Sequence, residues 1–183
     1  MSLETYLFDL DGTLLDTLLY HKMHPLIMQK LQEKYNLSCE ELDQKIERVG
    51  LTKNNNRWDT GEVCKKLNDL EMYYTLLEEQ ISLTNYFYPE ALVCITALKN
   101  EGKRIGIVSN SMQRTISLHL TNSRFMGMVD FLYSSDDVNA YKIQEIYWRN
   151  LIKVHQIIPE KTLMIGDTLE DDIYIPQKIG FNT

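Results

Sequence analysis

Four groups of polar residues in this chain have the type and spacing that chemistry requires. Asp9 and Asp11 stand two apart just after a short apolar run, so a persisting strand geometry leans both carboxylates to one side. Asp167 and Asp171 stand four apart across an expected helix start, which brings them to one face. Clustered carboxylates repel, and a hard divalent cation with oxygen ligands keeps them ionised together; magnesium is the first candidate. Ser109 closes one strand and opens a helix, where free backbone N–H groups and the positive dipole end favour a phosphate. Lys142 adds a point positive charge. A nucleophilic carboxylate, a neighbouring acid or base, a metal, a hydroxyl and a lysine together suit phosphoryl transfer.

Those residues need elements to position them. Residues 3–8 form a short apolar and aromatic run that stops at Asp9-Leu-Asp-Gly-Thr13, which predicts a buried strand ending in a polar turn. Residues 104–108, 129–133 and 162–165 repeat this form, ending at Ser109-Asn110, at residues 134–137 and at Gly166-Asp167. Helical patterns follow them at 111–121, 143–155 and 169–178. The alternation predicts an α/β fold, a parallel sheet with helices on both faces, whose ligands bind beyond the carboxyl ends of the strands.

Between residues 17 and 88 the pattern changes to amphipathic stretches at 18–35, 40–49, 61–70 and 71–84, with no strand-like run. Ser38 followed by Glu41 predicts a capping box opening the second of these. Tyr88-Pro89-Glu90 returns the chain to the core with Pro at a helix start. The expected organisation is a core of residues 1–16 and 89–183 with an α-helical cap, 17–88, inserted after the first strand. The sequence stops at 180–183 where a further strand is expected to begin, so the core is expected to lack an edge strand or to be cut short there.

Composition narrows the partners. The 183 residues carry 19 Lys+Arg against 26 Asp+Glu, a net charge of −7, with no dense basic stripe. Nucleic acid is thereby excluded as the main partner, because counterion release needs clustered cations. The hydrophobic fraction of 44% is ample for a core, yet no apolar run approaches the ~20 residues of a membrane span, and a soluble, cytoplasmic protein is expected. Cys39, Cys64 and Cys94 are odd in number and lack CxxC spacing, so idle thiols are expected.

Asp9-Leu-Asp-Gly-Thr13, Ser109-Asn110, Lys142 and Gly166-Asp167-Thr168-Leu-Glu-Asp171 resemble the four ordered motifs of the haloacid dehalogenase-like superfamily. The resemblance is to the branch with a helical cap after the first strand, which includes phosphoglycolate phosphatases and β-phosphoglucomutases, and it spans nearly the whole chain. It implies a Rossmann-like core and a magnesium-dependent phosphatase acting on a small phosphorylated metabolite. By resemblance, Asp9 is the nucleophile that becomes an aspartyl phosphate, and Asp11 is the acid that protonates the leaving oxygen and then activates water. The metal would be held by the Asp9 carboxylate, the Asp11 carbonyl and Asp167, with Asp171 ordering its surroundings. Ser109 and Lys142 would hold the phosphoryl group, with Asn110 assisting through its backbone or amide.

Rival readings draw on the same residues. Gly50-Leu51-Thr52-Lys53 is similar to the cap loop that grips a distal phosphate in β-phosphoglucomutases, and His21 sits where those enzymes place a hinge histidine. A cap lysine of the mutases is replaced by Asp69-Leu70-Glu71, whose charge is expected to repel a second phosphate and so to favour hydrolysis. Dehalogenases and phosphonatases lack the second aspartate that this chain has at Asp11. A phospho-accepting signalling module also pairs an acidic cluster with a hydroxyl and a lysine, but carries no helical insert. His21, Lys53 and Arg57 are the cap residues expected to set substrate specificity, Asn54-Asn55-Asn56 reads as a flexible turn, and Asp172 reads as an acid that complements a helix dipole.

Overall fold

Short apolar runs can only bury their backbone polar groups by pairing with one another, and here four of them do so in a parallel sheet. The computed structural model describes residues 2–54, 56–121, 123–125 and 127–183; Asn55, the middle of the expected asparagine turn, lies outside them. β1 (Thr5–Phe8), β2 (Arg104–Val108), β3 (Phe131–Tyr133) and β4 (Thr162–Ile165) lie in the order β3-β2-β1-β4. β1 is therefore central, and its Phe8 is level with Ile107 of β2 and Ile165 of β4. That register puts the residues after each strand, Asp9, Ser109 and Gly166, at a common edge.

The chain divides into two compact units, Met1–Thr17 with Asn85–Thr183, and Leu18–Thr84. The expected boundary at 88/89 moves to 84/85 because residues 85–88 pair with the loop after β1. Asp16 N–H donates to the Tyr86 carbonyl at 2.8 Å, Tyr88 N–H donates to that of Leu14 at 3.0 Å, and Leu15 bridges Phe87.

In the first unit, α5 (Pro89–Asn100), α6 (Gln113–Thr121), α7 (Glu145–His155) and α8 (Ile175–Ile179) flank the sheet. Its core joins Leu7, Val108 and Met164 of the strands to Tyr147, Trp148 and Leu151 of α7 and to Phe181. β3 is shorter than the expected 129–133 because the Asp130 carboxylate takes the Ile105 N–H at 2.6 Å where a main-chain carbonyl would otherwise serve. At the other edge the expected gap is partly closed. Asn182 forms a single parallel bridge with Leu163, donating to the Thr162 carbonyl at 3.0 Å and accepting from Met164 N–H at 2.8 Å.

The elements described in the second unit are helices: α1 (Leu18–Tyr35), α2 (Cys39–Arg48), α3 (Thr60–Lys66) and α4 (Leu70–Leu83). α1 buries Leu19, Met23, Ile27 and Leu31, an every-fourth-residue stripe. Ser38 and Glu41 form the expected capping box at the start of α2. Asp69, expected to repel a second phosphate, is instead buried within this unit, where it pairs with Lys34 and accepts from the Tyr35 hydroxyl at 2.6 Å. Its charge is neutralised there, so the repulsion argument rests on exposed Glu71 alone. None of the described helices is long and apolar enough to cross a membrane.

Phe181 lies against Trp148, ring centroids 5.5 Å apart, and so ties the last residues to α7. Phe181→Ala should cost about 3 kcal/mol or more in chemical denaturation, the usual loss for a buried aromatic. A change below about 0.5 kcal/mol would remove residues 180–183 from the core.

Candidate active site

The loop that leaves β1 doubles back at once: Leu14 and Leu15 both donate to the Leu10 carbonyl, and Gly12 donates to that of Leu15. Gly12 sits at φ +83°, and a Cβ there would collide with the Asp167 carboxylate. Gly166 is constrained similarly by the Asp172 carboxylate. The two glycines let the acids of the first and last loops approach. Asp9 is 5% exposed, and its carboxylate, with those of exposed Asp167 and fully buried Asp172, offers oxygens all within 4.8 Å of one another.

Lys142 stands in the turn before α7. Expected to hold a phosphoryl group, it is 2% exposed, with Nζ 2.5 Å from Asp9 Oδ1 and 2.6 Å from Asp172 Oδ1. Burial draws its pKa down, but the two carboxylates outweigh burial and hold the ammonium above its ordinary value. Burial lifts Asp9 from 3.8 to about 7; Lys142 pulls it down, while Asp172 and Asp11 add to the rise. One lysine against these acids leaves the pocket short of positive charge, which a divalent cation can supply.

Ser109, 1% exposed, accepts the Ser111 N–H at 3.0 Å, so its own proton is what it can offer to a phosphoryl oxygen. The Ser111 hydroxyl reaches Asp11 Oδ2 at 2.7 Å. Asn110 bonds to the Lys142 N–H at 2.8 Å and to Asp171 at 2.7 Å. From α7, Tyr147 donates to the Tyr133 and Ser109 carbonyls at 2.9 and 3.2 Å, and the Trp148 indole donates to the Lys142 carbonyl at 2.7 Å.

The sequence reading set Asp171 beside the metal and gave Asp172 a dipole role; in the structure it is Asp172 whose carboxylate converges with those of Asp9 and Asp167, and Asp171 bonds to Asn110. The expected helix at 169–178 opens with a π-helical turn, Leu169–Tyr174, before α8. On it Asp172 turns inward to Lys142 and to the Thr168 N–H at 3.0 Å, whereas Asp171 reaches Asn110. π turns are rare and gather at functional sites. No periodicity in the sequence announces one, although Gly166, which only Gly can occupy over a buried Asp172, was a signal. The structure also adds Ser111 and Trp148, whose roles only the tertiary contacts disclose.

His21, Lys53 and Arg57 all lie in the helical unit. His21 and Arg57 are exposed, while Lys53 donates to Asp43 at 2.6 Å and lies over the Trp58 ring. The Asp43 carboxylate, which also accepts the Trp58 indole N–H at 2.5 Å, thus already occupies this lysine.

An aspartate thus stands at the tip of a central parallel strand, facing a buried lysine and further carboxylates. Residues 6–183 match the family model of haloacid dehalogenase-like hydrolases, and the chain belongs to that family. It is 26% identical over 190 residues to the pyrophosphatase PpaX of Bacillus mycoides, covering all of this chain and 83% of that protein. It is 27% identical over 186 residues to a phosphoglycolate phosphatase of Aquifex aeolicus, covering 97% and 81%. The solved structure of a HAD phosphatase from Thermococcus onnurineus has a TM-score of 0.74 at 26% identity over 99% of this chain and 84% of that one. The HAD-hydrolase YfnB of Bacillus subtilis, solved bound to magnesium, has a TM-score of 0.65 at 21% identity over 99% and 87%, a likeness of fold alone. The chain is an enzyme, a hydrolase with phosphatases among its relatives.

Two outcomes follow from the charge arrangement. Lys142→Met leaves Asp9 and Asp172 buried without their cation and should cost roughly 3–5 kcal/mol in urea unfolding, against under about 1 kcal/mol for a surface lysine. For Asp9 the folded pKa lies above the unfolded one, so the folded chain holds the extra proton between about pH 4 and 7. This group's contribution therefore declines as pH rises through that window. A divalent cation displaces the proton and should raise the melting temperature more at about pH 8 than at about pH 5.5; an equal rise at both would contradict a metal site at Asp9.

Proposed function

We propose that this hydrolase is a magnesium-dependent phosphatase that takes a phosphoryl group from a small phosphorylated metabolite by way of a covalent aspartyl phosphate on Asp9. The observation that carries the reading is Lys142, buried yet held 2.5 Å from the Asp9 carboxylate, a fixed cation beside the nucleophile. The donor set fits the metal: Asp9, Asp167 and Asp172 converge as hard oxygen ligands, and the Asp11 carbonyl would complete them. When bound, magnesium supplies electrostatic stabilisation of the charge spread over the phosphoryl oxygens.

The chain's own groups divide the remaining work. An Asp9 oxygen forms a bond to phosphorus as the bond to the leaving oxygen breaks, and the departing electron pair takes a proton from Asp11. Ser111, 2.7 Å from Asp11, orients that carboxyl group. Ser109 and Lys142 hold the transferred oxygens. Asp11, now ionised, takes a proton from water as the water oxygen attacks phosphorus, and the Asp9 carboxylate departs from inorganic phosphate.

The PpaX and phosphoglycolate phosphatase relatives support a substrate whose scissile phosphoryl group stands close to a second anion. Membership of the family disfavours the signalling module. Hydrolysis is favoured over phosphosugar isomerisation by the phosphatase relatives.

Magnesium-dependent release of phosphate should be found within a panel of pyrophosphate, phosphoglycolate, sugar phosphates and nucleotides, and Asp9→Asn should lower it by at least about a thousandfold without unfolding the protein. Turnover that survives in Asp9→Asn would sink the covalent route. Incubation with β-glucose 1-phosphate and a bisphosphate primer should yield phosphate or nothing; efficient formation of glucose 6-phosphate would favour the mutase.

A further inference from the structure

Lys142 lies in a turn, so neither a helix nor a strand fixes its backbone, and side chains do so instead. Its N–H donates to Asn110 Oδ1 at 2.8 Å, and its carbonyl accepts the Trp148 indole N–H at 2.7 Å. An asparagine amide can present either end. Its two partners select the same orientation: Asp171 Oδ2 takes the Asn110 Nδ2–H at 2.7 Å, which leaves Oδ1 for the Lys142 N–H. The adjacent Asp172 takes the ammonium of the same lysine at 2.6 Å. Consecutive aspartates on the π-helical turn thus govern opposite ends of Lys142. The carboxylates that converge as candidate ligands are Asp9, Asp167 and Asp172, while Asp171 is committed to the amide.

We propose that Asp171 is a positioning residue that acts through Asn110, fixing the amide orientation that holds the Lys142 peptide and so aims its ammonium at Asp9. The inference rests on the phosphatase reading of the same site. It assigns Asp171 to the placement of the phosphoryl-binding cation and not to the surroundings of the metal.

An exchange of the two side chains tests it. Asn110→Asp sets two carboxylates face to face with no donor between them, and should lower kcat and fluoroberyllate affinity at least about tenfold, while the magnesium concentration for half-maximal activity stays in place. Adding Asp171→Asn reverses the polarity: the introduced amide donates, and the introduced carboxylate accepts from it and from the Lys142 N–H. The double variant should therefore recover most of both losses. Double variants that melt like the wild type but recover neither quantity would overturn the proposal. Asp171→Ala, which needs no exchange, should lower kcat with unchanged magnesium requirement; a raised requirement at unchanged saturated kcat would return Asp171 to the metal. Asp9→Asn serves as control. An inactive Asp9→Asn beside an unrescued pair defeats only the positioning role, whereas an active one defeats the phosphatase reading itself.

Discussion

The rest of the site depends on one interaction, the burial of the Lys142 ammonium between the carboxylates of Asp9 and Asp172. Ions removed from water cost several kcal/mol each, and attraction offsets this only where the geometry is held closely. Much of the first unit supplies that geometry. Register at the sheet's edge brings Asp9 and Gly166 level, two glycines admit the acids, and α7 ties Lys142 and Ser109 down from one side through Trp148 and Tyr147. Three carboxylates converge there and one lysine faces two of them, which leaves a negative excess that a divalent cation would offset. Burial raises the Asp9 pKa, against the pull of Lys142, and Asp172 and Asp11 add to the rise; these neighbouring acids are also what would make the place receptive to magnesium.

The strand tips were legible in the sequence because strands end where apolar runs meet polar turns, and that rule placed Asp9, Asp11, Ser109, Asn110 and Asp167 at one edge. The helical insert was legible from its change of period, and Ser38 with Glu41 marked the start of α2. What stayed hidden depended on contacts distant in the chain. Lys142 was singled out by its motif, but its burial depends on Asp9, 133 residues away, and Asp172, 30 residues away. Asp171 and Asp172 are interchangeable in a reading based on helical spacing, and only the π-helical turn separates them. The Ser111 hydroxyl is likewise unremarkable until Asp11, 100 residues earlier, lies beside it.

Cap charges were the harder part for a related reason. A lysine or an aspartate in an amphipathic stretch carries no mark of whether it faces solvent or a neighbour. Lys53 proves to be held by Asp43, and Asp69 by Lys34 and Tyr35, so both charges serve the helical unit itself. Sequence spacing set Lys53 in a loop, as found, but ran a helix through Asp69 where α3 ends at Lys66, and the pairing that decides the availability of both is tertiary.

On the proposed function, Lys142 and the convergent acids serve a phosphoryl group carried on Asp9. Rapid quenching of the Asp11→Asn variant with acetyl phosphate, whose leaving group departs without a proton from Asp11, followed by peptide mass spectrometry, isolates the second step, because loss of the base that activates water should let the acyl phosphate accumulate. The account predicts a phosphoryl mass increment confined to the peptide that contains Asp9, dependent on magnesium and removed by hydroxylamine. A turning-over enzyme that never carries phosphate on that peptide, or carries it on another, would contradict it.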